Sequence, residues 1–145
     1  NFNLAYNWNE TTVDSYNPET VDEGKVRRLE NGMPDHRATF TIAQNWGDVN
    51  MFVRANFFGE YYATHADDTS EWGSETADSA ITLDAEVSYQ VNDALKLALG
   101  GSNIFDQEAQ KLNDQAYGEL GAIYYESGPF DYNGGSYYLK AQYSF

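Results

Sequence analysis

Cysteine is absent from the 145-residue chain, proline occurs three times, and Lys plus Arg number eight against 23 Asp plus Glu, a formal net charge of −15. Without thiols there is no disulfide framework and no thiolate metal site. So few bases argue against a nucleic-acid partner, because phosphate binding needs clustered Lys and Arg. No apolar run reaches the length of a membrane helix, and Asn1-Phe2-Asn3-Leu4 has neither the basic start nor the apolar core of a signal peptide. These absences leave a membrane open, since barrel strands expose apolar groups only at every second position and keep a polar average. Gly-x-Ser-x-Gly, His-Glu-x-x-His and phosphate-loop patterns are also missing, and His36 and His65 fall in different connections. The expectation is a protein that is not an enzyme and carries no cofactor.

What is present is aromatic and alternating. Aromatic residues make up 16% of the chain, too many large rings for a disordered polymer. The last stretch, Tyr137 to Phe145, places Tyr137, Leu139, Ala141, Tyr143 and Phe145 on one face and Tyr138, Lys140, Gln142 and Ser144 on the other. The same period of two runs through residues 2–9, 37–46, 49–61, 80–91 and 95–100, so six strands are predicted. Gly47-Asp48 and Asn92-Asp93-Ala94 are short turns. The other connections, residues 10–36, 62–79 and 102–136, are long, polar and without sustained periodicity, and are read as loops.

Short turns alternating with long loops suit a membrane barrel better than a soluble sandwich, in which long structureless loops are rare. The charges agree. Eighteen of the 23 acids lie within 10–36, 62–79 and 105–136, and every strand acid, Glu60, Asp84 and Glu86, falls on the wet face. Arg54, Lys96 and Lys140 fall there too, with Arg37 at a strand mouth. The predicted lumen-facing set is Arg54, Asn56, Glu60, Asp84, Glu86, Lys96, Tyr138 and Lys140, whose plainer role is pairing across strands. Trp72, Tyr117, Tyr124, Tyr125 and Phe130 are candidate ligand-stacking residues of the outer loops, with loop–loop packing as the alternative. Asp67-Asp68 with Glu71, and Asp106 with Glu108, could offer oxygens to a hard cation, but their spacing is not that of a calcium loop and no metal site is assigned.

Six strands cannot end in open edges within hydrocarbon and are too few for a single-chain barrel. The fold class expected is therefore all-β, an antiparallel transmembrane β-barrel segment. Residues 1–145 would form part of a larger barrel, completed by a longer polypeptide or by other chains.

Several motifs, taken in order, carry a resemblance. They are Leu29-Glu30-Asn31-Gly32-Met33-Pro34-Asp35-His36-Arg37 leading into a strand, and Phe52-Val53-Arg54-Ala55-Asn56-Phe57-Phe58-Gly59 after a Trp-Gly-Asp turn. Asn103-Ile104-Phe105-Asp106 follows a rising strand, and Gly128-Pro129-Phe130-Asp131-Tyr132-Asn133-Gly134-Gly135 precedes the last one. Together they resemble the carboxy-terminal part of the barrel of TonB-dependent outer-membrane receptors, over essentially the whole chain. The resemblance implies a bacterial outer-membrane transporter for a scarce nutrient such as an iron chelate, cobalamin or glycan, with a 22-stranded barrel. The plug and the TonB-contacting segment would lie outside these residues. It implies as partners the rest of the barrel, the plug, the TonB system, outer-membrane lipid and the barrel-assembly machinery, which would read Tyr137, Leu139, Tyr143 and Phe145. It also turns the two short turns to the periplasm and the long loops outward. The alternatives are a passive porin-type barrel and a soluble all-β binding or adhesion module.

Overall fold

Alternation fixes which residues of a strand share a face, and pairing register decides whether neighbouring strands agree on it. The computed structural model describes residues 1–65, 73–126 and 128–145. In chain order its elements are β1 (Phe2–Trp8), α1 (Glu23–Asn31), β2 (His36–Trp46), β3 (Val49–Phe58), β4 (Tyr61–Thr64), β5 (Ser74–Ala77), β6 (Ala80–Gln90), β7 (Leu95–Ser102), α2 (Asp114–Leu120) and β8 (Ser136–Tyr143). The fold is antiparallel β. A six-stranded sheet has the order β1-β2-β3-β6-β7-β8, and β4-β5 form a separate two-stranded sheet.

All six predicted strands are present, and every pairing in the large sheet keeps like faces together. Leu4 sits opposite Phe40, Phe40 opposite Ala55, and Ala55 opposite Leu83. Val87 sits opposite Leu99, which sits opposite Leu139. The result is one apolar face across the sheet, with no Asp, Glu, Lys or Arg at its described strand positions. The opposite face carries Asn3, Thr41, Arg54, Asp84, Ser102 and their neighbours.

Burial is inverted relative to a protein that hides its apolar face. Ile81 is 59% exposed, Leu99 58% and Leu139 79%, whereas Thr82 and Ser88 on the polar face are 6% and 4% exposed. The buried core lies elsewhere, among the long connections: Tyr61, Ala63, Ala77, Leu112, Ala116 and Tyr125. Because the strands are antiparallel, the three long connections gather at one end of the sheet and the two short turns at the other.

Both turns have local chemistry. Gly47, at φ +63°, takes the left-handed position between Trp46 and Val49 without a side-chain clash. Asn92 Oδ1 accepts hydrogen bonds from the backbone N–H groups of Ala94 and Leu95, both at 3.0 Å, so the side chain acts as a turn.

The long connections are more ordered than their composition suggested. Residues 10–36, read as loop, contain α1, whose N-cap Asp22 accepts from the Lys25 backbone at 2.8 Å and whose C-cap Gly32 donates to Arg28 O at 2.9 Å. No residue of α1 is buried, and Val26 and Leu29 are the apolar side chains of its nine residues, too short a pattern for periodicity to mark a helix. Residues 102–136 contain α2, capped by Asn113 and ended by Gly121 at φ +67°. Tyr61, expected to extend the apolar face of β3, instead starts β4 and is 4% exposed in the loop core. The chain breaks at Gly59-Glu60, and the Gly59 N–H donates to His36 O at 2.8 Å. Glu60, expected to face a lumen from β3, lies in this break rather than in a strand.

Glycine is needed on β7 for the last pairing, most tightly at position 100. Gly100 faces Tyr138, and a Cβ on Gly100 would come within 2.5 Å of the Tyr138 ring and 3.0 Å of Ala85 O. Gly100→Val should lower stability by about 1–3 kcal/mol, as overpacking does. Thermal unfolding of the purified protein measures it, and Tyr138→Ala in the same chain should return part of the loss.

Candidate functional site

The polar face of the sheet is a wall of cross-strand contacts. Asp84 on β6 accepts from Ser102 Oγ and the Asn103 backbone, both at 2.9 Å, and from Asn56 Nδ2 at 3.3 Å. Asn56 also donates to Thr82 Oγ1 at 3.2 Å and accepts from Thr39 Oγ1 at 3.3 Å, linking β2, β3 and β6. Tyr138 reaches over Gly100 to donate to Glu86 at 2.6 Å. The Arg54 guanidinium stands over the Phe52 ring at 4.9 Å, although Arg54 and Asp84 are register partners. Among the described residues, Arg54, Lys96 and Lys140 form no ion pair. The predicted lumen set, Glu60 apart, therefore lies on one face, with its acids engaged by neighbours and its cations open to water or a ligand.

At the loop end of this wall, a corner ties β6, β7 and β8 together. Asn103 and Asp106 adopt positive φ, at 48° and 56°. Asn103 exchanges hydrogen bonds with Gln107 at 2.9 and 3.0 Å, and Asp106 Oδ1 accepts from the Gly135 backbone at 2.7 Å. The Ile104 N–H donates to Leu83 O at 2.8 Å, and Tyr137 Oη donates to Ile104 O at 2.6 Å. The Asn-Ile-Phe-Asp motif and the Gly-Gly before the last strand thus meet.

The aromatics of the long connections divide. Tyr125 is 1% exposed in the loop core, which removes it from any preformed ligand surface. Phe130 packs on Phe58 at 5.2 Å and Tyr124 stacks on Tyr132 at 5.5 Å, while Tyr117 is exposed on α2. Trp72 lies outside the described residues, as do Asp67, Asp68 and Glu71. Glu108 pairs with Lys111, and no group of three or more His, Cys, Asp or Glu suited to a metal occurs among the described residues. That pairing raises the Lys111 pKa. On β8, Tyr137, Leu139 and Tyr143 are 70%, 79% and 65% exposed on one face, and Phe145 beyond them is fully exposed.

A feature that sequence reasoning missed lies where the loop layer meets the apolar face. A cavity of about 730 Å³ there is lined by Tyr6 and Phe57 of the apolar face together with Arg27, Asp35, Glu60 and Tyr62. The Arg27 guanidinium sits 4.2 Å from the Tyr62 ring centre, and Tyr6 Oη is 2.7 Å from His36 Nδ1. The signal in the sequence was Asp22 as a helix cap, which turns residues 23–31 into a helix carrying Arg27.

No protein-family model matches the chain, and no curated protein matches it.

Burial in the loop layer raises the pKa of Tyr61, with the Gln110 backbone opposing and Tyr132 adding to it. Burial also raises Tyr125 and Tyr132, helped by Glu75 and Glu126 respectively. A phenol whose folded pKa is raised holds its proton more tightly when folded. Its stabilisation is complete below the ordinary tyrosine value near pH 10 and is lost as pH rises through the folded value. The loop layer should therefore loosen above about pH 10, and Tyr61→Phe should reduce the loss. Limited proteolysis across an alkaline series, read beside tyrosinate absorbance, checks both.

Proposed function

We propose that the chain is part of the wall of a bacterial outer-membrane β-barrel that serves as a TonB-dependent receptor for active uptake of a scarce nutrient. The observation that carries this reading is the exposed apolar face, continuous in register over six strands, with a hydrogen-bonded polar face behind it. At ordinary strand spacing such a face covers on the order of 600 Å², at the upper end of what a water-soluble monomer leaves bare. Lipid is the solvent that suits it.

Its dimensions support the same reading. Trp46 and Ala38 mark the two ends of the apolar face on β2, eight positions apart. At ~3.4 Å per residue and a tilt of about 40°, that is roughly 20 Å, near the height of the apolar band of an outer-membrane barrel. Trp46, Tyr89 and Tyr143 edge the band at the short turns, and Tyr6, Trp8 and Tyr137 edge it at the loops. Aromatic side chains collect at both membrane–water boundaries in this way. β1 and β8 are the edges of the sheet, and in hydrocarbon their outer backbone groups require further strands.

The TonB-dependent part of the proposal comes from the motif order, and the corner joining Asn103-Ile104-Phe105-Asp106 to Gly134-Gly135 gives two of those motifs a shared structural reason. In this role Arg54, Lys96 and Lys140 are free to meet a plug or cargo, while the acids of the wall hold the strands together.

Two experiments test the reading. Leu83→Arg puts a cation on the lipid face and should cost roughly 2–4 kcal/mol of insertion, whereas Asp84→Asn on the polar face keeps an acceptor and should be mild. Refolding yield into lipid vesicles compares them, and equal effects would refute the face assignment. The intact mass of the native polypeptide from detergent-extracted outer membranes should be several times that of 145 residues. A mass equal to this chain would replace the receptor by a subunit that completes its barrel with partners.

A further inference from the structure

The connection between β1 and β2 is built as a body of its own. From Glu10 to Asn31 no residue is buried, whereas Gly32 and Pro34, just past α1, are. The hydrogen bonds of this stretch to other described residues run within residues 10–32. The Val21 N–H donates to Asn17 O at 2.9 Å and Asp22 caps α1. The Val13 N–H donates to Glu30 Oε1 at 2.9 Å, which ties the way in to the end of the helix. At the base, where β1 ends and β2 begins, the Asn9 N–H donates to Asp35 O at 2.9 Å and closes the excursion.

Contact with the strands is narrow. Among the described elements, α1 packs against β4 alone. The directed contact there is the Arg27 guanidinium, 4.2 Å from the centre of the Tyr62 ring. Arg27 forms no ion pair among the described residues, so the ring face is what its charge meets. Tyr62 is the fixed partner: it is buried, and its hydroxyl donates to Ser74 Oγ on β5 at 2.5 Å. The cavity of about 730 Å³ is lined by Arg27 and Asn31 from the connection and by Tyr6, Phe57 and Tyr61 from the strands, so it lies between the two bodies.

We propose that residues 10–31 form a flap over this cavity, pivoting as one body about residues 32–34 and the Asn9–Asp35 bond, with Arg27 on Tyr62 as its latch. The internal bonds hold the flap together when it moves, because Val13 stays tied to Glu30 and the caps of α1 travel with the helix. Opening is cheap, because a segment that buries no residue has no core to lose. The latch is weak enough to release, since a cation over a ring at an exposed site is worth little more than thermal energy. Opening separates Arg27 and Asn31 from Tyr6, Phe57 and Tyr61 and so widens the cavity. The device lies in the loop layer; it goes beyond the membrane reading and does not depend on it.

The test uses the full native polypeptide in detergent, in a background without other cysteines; residues 1–145 contain none. Spin labels at Lys25→Cys on the flap and Asp48→Cys at the far turn report the flap's position by electron–electron double resonance. A second pair, Ser15→Cys with Lys25→Cys, lies wholly within the flap. A second flap-to-turn distance should appear or grow several-fold in Arg27→Gln, the shift expected when a cation–π contact is lost. Tyr62→Leu should do the same, whereas Tyr62→Phe keeps the ring and should match the wild type. The pair within the flap should be unchanged throughout. Arg27 is exposed on a surface helix, so Arg27→Gln serves if Tyr62→Leu does not fold. A flap-to-turn distance unmoved by Arg27→Gln, or an opening in Tyr62→Phe equal to that in Arg27→Gln, would overturn the latch. A change in the pair within the flap would overturn motion as one body.

Discussion

Strand register is the constraint on which the rest of this structure depends. Side chains alternate with a period of two, so a one-residue slip at any of the five pairings in the large sheet would turn one strand's apolar side chains to the polar face. Instead Leu4, Phe40, Ala55 and Leu83 follow one another across four strands, and Val87, Leu99 and Leu139 across the last three. Only with that agreement do Asn56 and Asp84 meet across strands, and only then does Tyr138 find Glu86. Face and wall are two consequences of one register.

The loop layer follows a different logic. Its core of Tyr61, Ala63, Ala77, Leu112, Ala116 and Tyr125 hides apolar groups from water in the ordinary way. The molecule thus combines a loop layer with a small buried core and a sheet whose apolar face is bare. The cavity lined by Tyr6, Arg27 and Glu60 lies at the boundary between them.

What could be read in the sequence follows from this division. The six long strands were legible because a half-exposed strand writes its environment at every second position. The polar wall was legible for the same reason, apart from Glu60, which the break at Gly59 removes from β3. The loop layer was not legible, because its elements are short and held by isolated contacts. α1 buries no residue and depends on the Asp22 and Gly32 caps, and β4 and β5 are four residues each. Tyr61 shows the limit clearly: it continues the alternation of β3 in sequence, yet the turn at Gly59-Glu60 moves it to another sheet. Tyr125 likewise has the composition of a ligand-stacking residue and the position of a core one.

Alternation excludes a slip of one residue but is blind to a slip of two, which would keep every apolar group on its own face. At the last pairing, the contact of Tyr138 with Gly100 removes this ambiguity. The ring occupies the space left by the missing Cβ, and two positions along β7 in either direction stand Ala98 and Ser102, both of which carry a Cβ. A β8 shifted by two would also leave Gly100 facing Ser136 or Lys140 and part Tyr138 from Glu86. One ring and one absent methyl group thus act as an index mark, specifying where along its neighbour the final strand must stop.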